Sequence, residues 1–297
     1  MKLFIDANIY LDFYEIQAVK SLLKPLIDVK DHVLVTSQIV DEVFRNKLDI
    51  SNKKFVDYLK KVNVSLALPD VLTENAVAEI DEGAVTKLKE LSSGLKEFKS
   101  LLEDIYSKTL EQISNNEDKV SAELMKIFNN SISYTEEQCL LAKKRKFFGN
   151  PPGKKGDPIG DEISWEQVLD CAKENNCPIW VVSKDGDFMS KVFYKGAIGN
   201  PFLLREISER GLPNFKFYSD LSTALQEFKK EYKEDLELPP DSELLAATKA
   251  QEGVQVHHDN SKCIHEMEII RKNGAFDIWE CRKCGQQHQA YSEDCCD

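Results

Sequence analysis

IWVVSKDGD (residues 179–187) sets a short apolar run, Ile179 to Val182, directly before a polar turn carrying Ser183, Lys184, Asp185 and Asp187. Three of the four apolar residues are β-branched, so the stretch reads as a buried strand with acids at its carboxyl end. The opening of the chain repeats the pattern: Leu3 to Ile5 in KLFIDANIYLD run into Asp6, and a helix follows with Asn8 and Asp12 near its start. A further strand, His32 to Val35, stops at Thr36 and Ser37, either of which can cap the next helix, whose stripe is Ile39, Val40, Val43 and Phe44. Phe215 to Tyr218 is another strand candidate. Strands separated by helical stretches predict an α/β fold with a parallel sheet flanked by helices. Ligands of such sheets gather at the carboxyl ends of the strands.

This domain is expected over residues 1–230, with a long helical insertion at about 71–130. There Val77, Ile80, Leu88, Leu91, Leu95, Phe98, Leu102, Ile105 and Ile113 recur mostly at three- and four-residue steps with charge between them. That is the spacing of amphipathic helices packed on each other or on the domain. The segment is not basic, which disfavours a nucleic-acid clamp. Residues 231–260, acidic and containing Pro239 and Pro240, suit a linker, and a cysteine-rich tail occupies 261–297.

Acids stand at four places on this framework: Asp6 after the first strand, Glu42 in the helix after the second, Asp161 at a helix start in GDEISWEQVL, and Asp185 with Asp187. Each alone has an ordinary reading as a cap, a solvated helix face or a turn. Read together they converge, because strand ends of a parallel sheet share one edge. Clustered carboxylates repel one another and persist where cations neutralise them. Hard oxygen ligands suit Mg2+ or Mn2+, whose activation of water is the chemistry of phosphodiester hydrolysis. Glu162 and Glu166, four apart on one face, read either as extra ligands or as surface, and Asp157 competes with Asp161 for its role.

In this order, FIDANIYLD, SQIVDEVFRN, GDEISWEQVL and VVSKDGDF resemble the motifs of PIN-domain nucleases, and PPGKKGDPIGDEISW is similar to a PIN-like branch with a long helical insertion. The resemblance covers about residues 1–220. It implies that the metal-binding, catalytic acids are Asp6, Glu42, Asp161 and Asp185, with Asp187 in support. It also implies a parallel sheet with helices on both faces and cleavage of RNA or structured DNA, an endoribonuclease being the leading form.

A charge of −12 argues against a protein that coats nucleic acid by bulk electrostatics, yet positive charge is concentrated in one expected loop. AKKRKFFGNPPGKKG (142–156) holds six basic residues and no acid, just before Asp161. Lys143, Lys144, Arg145, Lys146, Lys154 and Lys155 are therefore expected to contact substrate phosphates, and Phe147 and Phe148 to stack on an unpaired base.

Five of the eight cysteines crowd into the tail, which argues against a whole-chain disulfide framework. Cys263 with His265 and Cys281 with Cys284 form two close pairs around a hairpin-length spacer, followed by Gly285, an arrangement that fits structural Zn2+ and resembles small zinc ribbons. His288, Cys295 and Cys296 could replace a ligand. No apolar run approaches the roughly 20 residues of a bilayer span, and MKLFIDANIY lacks the layout of a signal peptide, so a cytoplasmic location is expected. The leading expectation is a metal-dependent nuclease on RNA or DNA. The alternatives are a catalytically silent scaffold binding nucleic acid or a protein through the insertion or the tail, and an aspartyl phosphatase. The last would want Asp where Asn8 stands.

Overall fold

A computed structural model describes residues 1–62, 82–153, 158–192, 196–212, 214–251, 267–273, 276–281 and 287–291. The chain divides into two units, Met1–Gly253 and Val254–Asp297.

The first unit opens with β1 (Lys2–Ile5), α1 (Ala7–Glu15), the short α2 (Leu23–Asp28), β2 (Val33–Leu34) and α3 (Ser37–Val62). Four helices follow: α4 (Glu82–Asn115), α5 (Lys119–Phe128), α6 (Glu136–Phe148) and α7 (Gly160–Asn175). Then come β3 (Ile179–Val182), the antiparallel pair β4 (Met189–Val192) and β5 (Gly196–Gly199), α8 (Pro201–Glu209), β6 (Phe215–Tyr218), α9 (Leu221–Glu231) and α10 (Asp241–Gln251).

The central sheet has the order β2-β1-β3-β6, and every neighbouring pair is parallel. Leu3, Phe4, Ile5 and all of Ile179–Val182 are buried, as strands covered on both faces must be. The register sets Ile5 beside Val182 and Val182 beside Tyr218. Pairing continues past the strand ends, with Asp6 N–H donating to Val182 O at 2.9 Å and Ser183 N–H to Tyr218 O at 3.0 Å. Asp6 and Ser183 are thereby placed side by side at the carboxyl edge. The expected strand at His32–Val35 shortens to Val33–Leu34, and Thr36 instead bridges to Ile132.

The described part of segment 71–130 is helical, residues 71–81 lying outside the described residues. Tyr106 of α4 stacks on Phe55 of α3 at 3.4 Å between centroids, and its hydroxyl donates to the Ser51 carbonyl. Farther round the same helix, Leu91, Phe98, Leu101 and Ile105 are exposed. The end of the segment belongs to the core: Leu124, Ile127 and Phe128 of α5 are buried, and Phe128 meets Tyr10 edge-on at 5.1 Å.

The linker expected from residue 231 is in part a packed helix. Leu244, Ala247 and Gln251 of α10 are buried, and Gln251 Nε2 donates to Asp12 Oδ2 at 2.7 Å, tying the last helix of the unit to the first. Pro239 and Pro240 mark a helix entry here, with Pro240 O accepting from Glu243 and Leu244 N–H.

The second unit contains β7 (Met267–Asn273), β8 (Phe276–Cys281) and β9 (Gln287–Tyr291) in an antiparallel sheet of order β7-β8-β9. Cys281 ends β8, opposite Met267; Cys263, His265 and Cys284 lie outside the described residues.

Candidate acidic active site

Asp6 ends β1 and caps α1. Its Oδ1 accepts from Ala7 N–H at 2.7 Å, and its Oδ2 accepts from Asn8 Nδ2 at 2.7 Å and Ser183 Oγ at 2.5 Å. Ser183 also accepts Asp185 N–H at 2.9 Å, and Asp185 Oδ1 accepts Asp187 N–H at 3.0 Å, so the turn after β3 is wound around its own acids. Asp161 enters from the first turn of α7, where helix amides favour a carboxylate. Glu42 enters from α3.

Electrostatics shows which of these side chains are neighbours. Burial lifts the Asp6 carboxyl to about 6; the Ser183 and Ala7 hydrogen bonds oppose the rise, while the charges of Glu42 and Asp185 add to it. Burial likewise lifts Asp161 to about 7, reinforced by the charges of Asp6, Glu162, Asp185 and Asp187. The acids at the four expected places thus act on one another, and Asp187 Oδ2 is buried without a hydrogen-bond partner. Among the described residues no three His, Cys, Asp or Glu side chains close into the geometry of a formed metal site. The neighbouring acids oppose one another's ionisation, and carboxylate oxygens are the donor type that hard divalent cations take.

Glu162, the next residue after Asp161, is 0% exposed. Lys146 Nζ approaches its Oε1 to 3.0 Å as an ion pair, yet neither carboxylate oxygen has an aligned hydrogen-bond partner among the described residues. Gly153 lies against it at φ +110°, and a Cβ there would fall 2.2 Å from Glu162 Oε1, so the Pro-Pro-Gly turn requires glycine to press on that buried carboxylate.

The basic segment, expected as a loop, begins as the last turns of α6. Lys143 and Lys144 are exposed, Lys146 is half-buried against Glu162, and Lys154 and Lys155 lie outside the described residues, as does Asp157. Arg145 corrects the expectation of a phosphate contact, because it is 5% exposed and turned inward. Its guanidinium donates to Glu166 Oε1 at 2.6 and 3.0 Å, to Glu206 Oε1 at 2.6 Å and to Pro151 O at 2.7 Å. Arg210 joins the same two carboxylates, and Trp165 Nε1 donates to Glu206 Oε2 at 3.0 Å. Glu166 is therefore a structural anion and neither a ligand nor surface. Burial works against the charge on Glu206, but the Arg145 and Trp165 hydrogen bonds and the two arginine charges outweigh it and hold the group below its ordinary range.

Two supports went unassigned in the sequence. Ser183 was visible only as a strand end, and its role depends on register against β1. Asp12, deeply buried, pairs with Lys184 Nζ at 2.5 Å and with Gln251. That pairing fixes the residue next to Asp185.

Comparison with curated proteins and with solved structures gave no match. A family model described as PIN domain matches residues 3–188, a span that begins in β1 and closes just after Asp187, so it takes in every acid of the cluster. PIN domains are nuclease-type folds that are usually metal-dependent. With well over half of the 297 residues matched, the chain belongs to the PIN-domain family.

Proposed function

We propose that the protein is a metal-dependent nuclease that cuts phosphodiester bonds within RNA, using Mg2+ or Mn2+ held by Asp6, Glu42, Asp161 and Asp185 with Asp187 in support. The observation that carries this is the convergence of the acids at one strand edge, where Asp6 and Asp161, both raised chiefly by burial, also feel their acidic neighbours: Glu42 and Asp185 act on Asp6, and Asp6, Glu162, Asp185 and Asp187 act on Asp161. When bound, such an ion lowers the pKa of a water and stabilises the departing oxygen. The chain's own part is positional. Ser183 and Asn8 hold the Asp6 carboxylate, the α7 amino end presents Asp161, and Lys143 and Lys144 of α6, with Lys154 and Lys155 farther along the chain, draw the substrate backbone toward the acids.

The test is incubation of the full chain with Mn2+ and a panel of single-stranded, duplex and flapped RNA and DNA. Internal cuts in RNA that EDTA abolishes are expected. Intact substrates across the whole panel would sink the reading.

Zinc in the tail is a separate proposal, with Cys263, His265, Cys281 and Cys284 as a closed tetrahedral set that leaves no open position for catalysis. A segment of about 35 residues cannot hold a fold by apolar burial alone. One zinc per chain is expected by metal analysis of the full protein, falling to none in the Cys281→Ser, Cys284→Ser double variant. Unchanged zinc in that variant would end the proposal. A partner surface on α4 is compatible with catalysis and is favoured by the exposed Leu91, Phe98, Leu101 and Ile105.

A further inference from the structure

The carboxyl-terminal end of α6 leaves two aromatic rings in solvent. Phe147 is 84% and Phe148 62% exposed, with ring centroids 5.3 Å apart and planes at 81°. One or two turns earlier on the same flank stand the exposed Leu140, Lys143 and Lys144. Scattered single apolar residues are ordinary on a surface, whereas contiguous large ones interleaved with lysines mark a place for a ligand.

The rings are held in position. A capping box between Thr135 and Gln138 starts α6, and Gly149 stops it in the left-handed conformation at φ 69°. Arg145 pins the last turn to Glu166, Glu206 and the Pro151 carbonyl. Lys146, the residue before Phe147, lies 3.0 Å from Glu162, the residue after Asp161. One ion pair and one chain step on each side of it therefore separate Phe147 from the acids, which a short stretch of a nucleic-acid strand can span.

We infer that Phe147, backed by Phe148, is a stacking platform for an unpaired base flanking the bond to be cut. The inference rests on the nuclease reading and adds a specificity-determining residue to it. Every base offers a π-face, so the platform is indifferent to sequence and selects against bases locked in a duplex. Lys143 and Lys144 supply the phosphate contacts that keep the strand in register. A protein partner is the poorer fit, because interface centres are depleted in lysine.

The test is fluorescence anisotropy of the full chain in EDTA with a labelled short RNA, single-stranded or annealed to its complement. Phe147→Ala should weaken single-strand binding by roughly ten-fold and duplex binding little. Phe147→Trp should bind as wild type and Phe147→Leu as poorly as Phe147→Ala, since a ring is required and apolar bulk is not. The salt slope should stay unchanged in Phe147→Ala and shrink by roughly 1.4 when Lys143 and Lys144 both become Ala. Equal single-strand binding by wild type and Phe147→Ala, or full retention by Phe147→Leu, overturns the inference and leaves the rings to a protein. Cleavage by wild type in Mn2+ separates the two readings. Cutting with Phe147-independent binding removes the platform alone, and Phe147-dependent binding without cutting removes the nuclease reading alone.

Discussion

Asp161→Asn should abolish cleavage while raising the melting temperature of the metal-free protein. Loss of activity should exceed about a hundred-fold, the upper end of what loss of an outer partner of a metal ligand costs. The stability change follows from the direction of the pKa shift. Asp161 titrates at about 7 when folded against 3.8 ordinarily, and Asp6 at about 6, so the fold prefers both groups protonated. The stability they contribute is complete below about pH 4 and is lost as pH rises through 6 to 7. At pH 8 the ionised Asp161 opposes folding by up to about 4 kcal/mol, an upper bound since the group is partly solvated. Melting metal-free wild type and variant between pH 4 and 8 should give curves that meet at the acid end and separate toward the alkaline end, with Mn2+ closing the gap for wild type alone. Normal cutting by Asp161→Asn, or a gap that widens toward acid, would refute this account of the cluster.

Arg145→Met should destabilise the first unit by about 3–5 kcal/mol, because breaking one side of a buried ion network leaves its partners charged and unsatisfied. Among the described residues, Glu166 would keep Arg210, at 3.3 Å, and the Pro151 carbonyl would lose the Arg145 donor. For a unit of this size the melting temperature should fall by roughly 10 °C, measured by circular dichroism at neutral pH. Lys143→Met, two residues away and exposed, should change stability by less than about 0.5 kcal/mol. Arg145→Lys should fall near Arg145→Met, since an ammonium cannot reproduce the forked contact with both carboxylates. A melting point for Arg145→Met within about 2 °C of wild type would show that the network does not hold α6 to α7.

β1, β2 and β3 were legible in the sequence because each is a short, largely apolar and buried run stopped by a polar residue, whereas β6, interrupted by Lys216 and only half buried, gave a weaker signal. Their order was not, since periodicity carries no information about pairing. The candidate acids were legible for the same reason: strand ends and helix starts locate them without side-chain detail. Arg145 was misread because four consecutive basic residues look alike in sequence, while burial is decided by Glu206, which is 61 positions away. The helix at Asp241–Gln251 was hidden behind Pro239 and Pro240, and its buried face is only Leu244, Ala247 and Gln251, too sparse a stripe to register as amphipathic. Gln251 acquires meaning only through Asp12, 239 positions earlier.

The sheet order has a consequence for the order of synthesis. Of the four sheet strands β1 is made before the others yet occupies an interior place, and one of its two edges stays unpaired until β3 has been made. Asp6 waits likewise for Ser183, 177 positions later. A nascent chain of this unit therefore carries an apolar strand edge in search of a partner for most of its translation, the kind of edge that invites pairing between chains. Contacts of such long sequence separation also fold slowly. The nascent chain is thus most dependent on chaperone cover between the emergence of β2 and that of β3.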